Sequence, residues 1–380
     1  MRRAAWAGFS EEDLQPVIGT ELTPNGWRGI TADGEILEVQ STTGVPESIM
    51  MFSAGKPVGR RVISAEIVSV TDYLHAFNRA RELHRDNNNV EALAAVELAI
   101  AIAPTVRARH NRAMILLALG RWREGFQEFE LCEREPPFAR PNAQEMLAAG
   151  GTPWRGEPLE GKQLLIVHDH GFGDTIMMLR FVEAVRRCGC QVTLAVPPEL
   201  QWIAVQFADT GALGRYDYFT SFLHLLRWLE IEPGNVPTAP YINVDASVQA
   251  HWRTQLGPRQ RPRVGVAWSV RVDHPGDFPR ALPLQAITTW FPDAELHSVQ
   301  KQGAEEAATL GVVTHDPVDF ASAAALMMNM DEIVSVDTAA IHLAGAIGHP
   351  NATVMLSQFH SWRWKGNPFY PRVRIVESGR

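Results

Sequence analysis

The sequence predicts an α/β protein in which the residues from about 163 to the C-terminus form two doubly wound, Rossmann-like halves facing each other across a cleft. A helical, repeat-like segment and a short β-rich N-terminal region precede them. Three observations predict this. Short apolar runs alternate with helical stretches at the spacing of βαβ units from residue 163 onward. A linker-like run, Gly257-Pro258-Arg259-Gln260-Arg261-Pro262, divides that alternation in two. Between residues 72 and 147 the apolar period is helical instead.

A chain of 380 residues exceeds one ordinary core. The expected domains are 1–71 (β-rich, of unassigned role), 72–150 (helical), 151–256 (first Rossmann-like half) and 257–380 (second half). The N-terminal region reads as short strands, with Asp33-Gly34 as a hairpin signal. In the helical region, residues 91–104 place small and apolar side chains as a tetratricopeptide helix requires, and Pro104 ends the unit. Residues 111–126 repeat helix, Gly120 turn and helix, so either one to two repeats or an ordinary helical hairpin is expected. So short an array would lean on a neighbouring domain or on another chain, which leaves room for a homo-oligomer.

Pro153-Trp154-Arg155-Gly156-Glu157-Pro158 reads as a connector. Beyond it, strands are expected at 163–168, 191–196 and 241–244 in the first half. Those of the second half are expected at 263–268, 295–299, 312–315, 332–336, 352–356 and 373–376. Helices are expected notably at 175–187, 320–330 and 338–347. Trp202, Trp228, Trp252 and Trp290 lie in helical stretches and read as packing residues.

Composition narrows the function classes. A hydrophobic fraction of 46% with 21% charged residues is that of a globular chain. No apolar run approaches the roughly 20 residues that cross a bilayer. Glu11, Glu12 and Asp13 follow the N-terminal arginines before any signal-peptide apolar region develops, so a cytoplasmic chain is expected. The three cysteines, Cys132, Cys188 and Cys190, read as free thiols. A net charge of −8 with no basic stripe argues against nucleic acid.

Two motifs carry chemistry. In the first, the apolar strand 164–167 runs through His168-Asp169-His170-Gly171-Phe172-Gly173-Asp174 into a helix. Gly171 and Gly173 would let a ligand approach the backbone, and the helix start offers unpaired N–H groups. Asp174 reads either as a functional carboxylate or as an N-cap. In the second, strand 333–336 leads through Asp337 and Thr338 into a small-residue helix, placing both at a carboxyl end of the sheet. His342, four residues on, shares the face of Thr338. The backbone N–H groups at Thr338 and Ala339 could hold a diphosphate. The alternative is a capping Asp337 and a core His342. His168 and His170 at one strand end also admit a metal-hydrolase reading, but no Glu-x-x-His or Cys pair supports it.

Together with 111–130, 153–181 and 331–350, the marks Gly171-x-Gly173-Asp174-Thr175, Arg263-Val264-Gly265-Val266-Ala267-Trp268, Val336-Asp337-Thr338-x-x-x-His342-Leu343-Ala344-Gly345, Trp362-Arg363-Trp364 and Pro368-Phe369-Tyr370-Pro371 look like one family. Over about residues 90–380 the chain resembles bacterial tetratricopeptide-repeat proteins whose C-terminal half is similar to the ADP-heptose:lipopolysaccharide heptosyltransferases. The resemblance implies a GT-B glycosyltransferase, inverting and metal-independent, without a cofactor. It would move a sugar from a nucleotide-diphosphate sugar to a protein or glycan acceptor recruited by the helical repeats; the alternative is a catalytically inert nucleotide-sugar-binding or tetratricopeptide interaction module. The resemblance further implies Asp174 as general base and donor contacts from Asp337, Thr338 and His342, to which the reading of the two turns adds Gly171, Gly173 and Ala339; should Asp174 not be the base, His170 and Asp169 are the nearest candidates. Arg280 is the expected phosphate cation, and Gln300, Lys301 and Glu305 are the expected base and ribose contacts. This chain departs from the pattern at Asp169-His170, where relatives usually carry Glu-Gln, at 269–278, where a basic, Asn-rich loop is usual, and at Ser361, where an Asp is common.

Overall fold

The computed structural model describes the backbone of 17–23, 26–31, 36–40, 48–53, 56–62 and 66–71, and backbone and side chains of 72–269, 281–357 and 361–377. The chain separates into two compact units, with the boundary between Leu116 and Leu117. That boundary falls inside the Val106–Ala118 helix.

In the first unit, β1 (Val17–Thr23), β2 (Gly26–Thr31), β3 (Ile36–Gln40), β4 (Ser48–Ser53) and β5 (Lys56–Val62) form an antiparallel sheet in sequential order. Asp33-Gly34 lies outside the described residues. The Glu66–Arg85 and Asn89–Ile102 helices follow. Tyr73, near the start of one, bonds through its hydroxyl to Thr105 Oγ1 just past the end of the other, at 2.7 Å, so the two run antiparallel. Their shared face is built from Ala76, Ala80, Ala92, Val96 and Ala99, all buried, and small side chains let the helix axes approach closely.

The second unit holds two wholly parallel sheets. In the first, β6 (Gln163–Val167), β7 (Gln191–Ala195), β8 (Asp209–Thr210) and β9 (Tyr218–Ser221) are ordered β8-β7-β6-β9. In the second, β10 (Arg263–Ala267), β11 (Glu295–Ser298), β12 (Glu332–Val336), β13 (Ala352–Leu356) and β14 (Arg374–Glu377) are ordered β11-β10-β12-β13-β14. Each order reverses direction once, between β6 and β9 and between β10 and β12, which is the doubly wound arrangement. Parallel strands must be covered on both faces, and β10 and β13 are buried along their whole length.

Two expected strands are absent from the observed sheets. Residues 241–244 form none, because the N–H groups of Tyr241 and Ile242 bond instead to Ala346 O, an orphan carbonyl at the end of the Ala339–Ala346 helix. The fourth strand of the first sheet is β9, four residues long. Residues 312–315 give only a single bridge, Val313 to His297, on the outer edge of β11. The expected helix over 175–187 starts earlier and is interrupted: Phe172–Met178, a 3-10 turn at Leu179–Phe181, then Val182–Arg186. Trp202 and Trp290 are 65% and 48% exposed, which corrects their reading as packing residues.

The Trp122–Cys132 and Pro141–Ala148 helices belong to the second unit. Met146 packs with Leu165, Val167 and Phe219 on one face of the first sheet. Trp122 and Phe126 interlock with Trp362 and Phe369, at ring separations of 5.4 Å for Trp122 to Trp362, Trp122 to Phe369 and Phe126 to Trp362. On the second sheet the core is Val264, Val266, Trp268, Leu296, Val334 and Met355 with Leu284 and Ile287.

Candidate functional site

Open α/β sheets offer ligand crevices at the carboxyl ends of strands beside a reversal of strand order. Here those ends are the turn after β6, which carries 168–174, and the turn after β12, which carries Asp337 and Thr338.

After β6 the helix cap is Gly171, extended at φ −69° and ψ 158°, and not Asp174. Asp174 is the third helical residue, where a carboxylate is favoured by the helix dipole. It turns away from its own helix to Arg363, whose Nε lies 2.8 Å from Oδ1 and whose Nη2 reaches the same oxygen. Arg363 comes from a 3-10 turn, Trp362–Trp364, between β13 and β14, so this ion pair joins the two parallel-sheet halves. Burial pushes the Asp174 carboxyl up, but Arg363, with His170 and His342 nearby, outweighs it and holds the group below the usual range.

After β12 the cap is Thr338, whose Oγ1 accepts from Ala340 N at 3.3 Å and lies 3.1 Å from Ser335 Oγ. Asp337 is buried, with Oδ1 3.5 Å from His342 Nε2. The His342 ring stacks on Trp364 at 5.4 Å. Gly173 faces this ring: a methyl group there would stand 2.7 Å from His342 Cδ2 and 3.4 Å from Ala339 Cα. Gly173, Ala339 and His342 are therefore brought together, with the glycine allowing the Phe172–Met178 helix to press against the Ala339–Ala346 helix.

The three residues before Gly171 are firmly held. His168 Nδ1 pairs with Thr175 Oγ1 at 2.8 Å, and burial, with His170 nearby, pushes the His168 imidazole down to about 4 despite Asp174 and Glu199. Asp169 accepts from the N–H groups of Asn142 and Ala143 at 3.0 and 3.1 Å, supplying the first turn of the Pro141–Ala148 helix with a cap from another part of the chain. Burial raises its carboxyl nonetheless. His170 Nε2 lies 2.8 Å from Glu133 Oε1, and His224 Nε2 lies 2.9 Å from Glu133 Oε2. Arg140 Nε bonds to Glu133 as well, at 2.5 Å. Burial opposes ionisation of Glu133, but the two histidines prevail and hold its carboxyl well below the usual range.

Other expected donor residues sit apart from this cluster. Gln300 Oε1 accepts from Trp268 N and Ser269 N at 2.8 and 3.0 Å, closing the end of β10. Lys301 and Glu305 are exposed, and it is Glu306 that bonds Trp268 Nε1, at 2.6 Å. Arg280 and positions 270–278 lie outside the described residues. Trp362, Trp364 and Tyr370 are buried and, unlike Gln300, Lys301 and Glu305, lie against the cluster: Trp364 and Tyr370 pack on the His342 ring, and Arg363 lies over Trp362. No group of three or more His, Cys, Asp or Glu able to hold a metal ion occurs among the described residues.

Arg363 as partner of Asp174, and Glu133 as partner of His170, are contacts the sequence did not reveal. They span 189 and 37 residues, so no local pattern couples them. The only signal was that Arg363 stands in a Trp-Arg-Trp run.

No family model matches the chain. It is 28% identical to Protein FlbA of Caulobacter vibrioides over 69% of this chain, and spans about half (50%) of that protein's length. Among solved structures, it is similar to ADP-heptose lps heptosyltransferase II of E. coli, with a TM-score of 0.43 and 11% identity over 56% of this chain and 90% of that one. It is also similar to a glycosyl transferase family 9 protein of Veillonella parvula, with a TM-score of 0.46 and 10% identity over 59% of this chain and 88% of that one.

Proposed function

We propose that this chain is a GT-B-type glycosyltransferase that moves a sugar from a nucleotide-diphosphate sugar to a hydroxyl of a protein or glycan acceptor, with inversion and without a metal. The observation that carries this reading is the meeting of the two strand-to-helix turns. Gly171–Asp174 and Asp337–His342 come from reversal points of two different parallel sheets and touch at Gly173 and His342. A reaction joining two substrates needs one crevice shared by two binding halves, and an activated hydroxyl beside a stabilised leaving diphosphate. Thr338 and Ala339 N–H groups with Arg280 would face the diphosphate, while the first-sheet turn would face the acceptor. In the step itself the acceptor O–H breaks and a protein base takes the proton. The oxygen pair forms the new bond to the anomeric carbon, and the bond to the diphosphate breaks with its electrons leaving on the phosphate. The helical segment of residues 72–147 would recruit the acceptor as tetratricopeptide-like repeats, in a cytoplasmic chain that could assemble with copies of itself.

A panel of UDP-, GDP- and ADP-sugars tests this. One of them should raise the melting temperature and release its nucleoside diphosphate on turnover, with chelator present or absent. Binding without any turnover would favour an inert scaffold, a reading to which the tight Arg363–Asp174 pair already lends weight. Turnover abolished by chelator and restored by a divalent ion would overturn the metal-free route.

A further inference from the structure

Resting on the glycosyl-transfer reading, we propose that the proton acceptor in this chain is Nδ1 of His170, and that Glu133 is the positioning residue that presents it. An ionised carboxylate accepts hydrogen bonds and donates none. Glu133 is 2% exposed, and its Oε1 lies 2.8 Å from His170 Nε2. The hydrogen must therefore sit on Nε2, which leaves the lone pair of the neutral ring on Nδ1. That Nδ1 is buried and has no hydrogen-bond partner among the described residues. The ring cannot easily turn over, because Phe129 stacks on it at 6.0 Å and the side chain is 6% exposed.

Asp174, four residues on, is worse placed for the same task. One of its oxygens already receives both the Nε and the Nη2 of Arg363. A guanidinium held against a carboxylate lowers its proton affinity, and a general base works best near the working pH. Asp169 is committed to the first turn of the Pro141–Ala148 helix. His168 is committed to Thr175. Of the ionisable groups in this turn, His170 alone combines an oriented ring with an uncommitted lone pair. Because Nδ1 is covered, an acceptor hydroxyl reaches it only after neighbouring side chains move.

Glu133 lies just past the Trp122–Cys132 helix, so the helical segment supplies part of the site and does more than recruit a partner. In the step, the acceptor hydroxyl gives its proton to Nδ1, making an imidazolium. Glu133 stabilises this charge through Nε2–H, together with the electron-rich Asp169 and Asp174 on the same turn and against Arg140 and His224 on the far side of the carboxylate.

The full-length protein and two variants test this, with release of nucleoside diphosphate from the UDP-, GDP- and ADP-sugar panel as readout. In His170→Gln the side-chain amide can still donate to Glu133, so the turn should stay folded. This variant should lower kcat by about 10²-fold or more with donor KM little changed. Glu133→Gln should lower kcat with donor KM little changed, because the carboxylate that stabilises the imidazolium has been removed. A wild-type level of activity in His170→Gln, with Asp174→Asn inactive though folded, would return the role to Asp174. The tautomer gives a readout independent of turnover. Imidazole 15N shifts of His170 should report Nε2–H in the wild type, and an Nδ1–H tautomer there would overturn the assignment. Failure of the wild type to turn over any donor, with the Nε2–H tautomer intact, would instead refute glycosyl transfer, and with it the step assigned to His170.

Discussion

At the scale of single residues, Asp337 and Thr338 illustrate how neighbouring side chains divide two tasks. Thr338 closes the helix start, while Asp337 points into the buried cluster beside His342. Thr338→Ala should therefore cost about 1 kcal/mol in urea unfolding. Asp337→Asn should leave the cap intact and act on donor binding; equal losses of stability in the two variants would contradict this division. Acid should act on the same region. Burial keeps the His168 ring neutral, at about 4 against an ordinary 6.5, so the unfolded chain binds the proton first. The associated stability is whole above 6.5 and is lost as the pH falls from 6.5 towards 4. Glu133, held well below 4.5, adds a loss in the same direction once the pH drops beneath that value. Melting temperature should fall across both windows, and His168→Gln should flatten the upper one. The sequence did place Asp337, Thr338 and His342 on one strand-to-helix turn, because strand, polar cap and i, i+4 spacing are local. Which of the two neighbours caps the helix was not legible, since Asp and Thr are both favoured N-caps.

At the scale of elements, two glycines set how closely helices lie to what packs on them. Gly173 admits the His342 ring, and Gly345 admits the ring of Tyr370, whose hydroxyl bonds onward to Tyr241. An added methyl must displace a buried aromatic ring in either place. Gly173→Ala and Gly345→Ala should each destabilise the fold by about 1–3 kcal/mol. A neutral result at Gly173 would mean that the two helices can part without penalty. The sequence reading gave Gly173 to ligand approach, because a Gly-rich turn looks the same whether substrate or another helix comes near. The strands tell a similar story. Those built on an unbroken apolar run, such as Leu164-Leu165-Ile166-Val167 in β6 and Val264-Gly265-Val266-Ala267 in β10, were legible, since burial on both faces demands such runs. β9 was not: Tyr218-Phe219-Thr220-Ser221 is short and half polar, whereas 241–244 alternates like a strand yet spends its N–H groups on a helix end. Only the tertiary partner of those N–H groups separates the two cases.

At the scale of the whole molecule, the expected division at residue 150 and the observed boundary between Leu116 and Leu117 lead to different experiments. Periodicity alone cannot say which neighbour a helix packs against, so the Trp122–Cys132 and Pro141–Ala148 helices read as part of the repeat-like segment. They pack within the second unit. Arg180 adds to that unit's cohesion: its guanidinium, 6% exposed, lies 4.5 to 5.3 Å from the rings of Tyr241, Phe369 and Tyr370 and donates to the carbonyls of Met177, Pro237 and Phe369. Trp122, Phe126, Phe129 and Met146 are each buried, and burying a large apolar side chain contributes about 1.5–3 kcal/mol. Removing these four would forfeit roughly 6–12 kcal/mol, comparable with the whole stability of a typical domain. It would also strip Asp169 of its helix and His170 of Glu133. Residues 106–380, which keep the Val106–Ala118 helix whole, should therefore unfold cooperatively and retain turnover of a free nucleotide-sugar donor, whereas residues 151–380 should aggregate or melt without a sharp transition. Should 151–380 instead fold as stably as 106–380, the two helices would be appendages, and Glu133 could not be needed to hold the turn after β6. Only with 106–380 would loss of activity towards a natural acceptor report on recruitment by residues 72–105, because only there is the turn after β6 left with its supporting contacts.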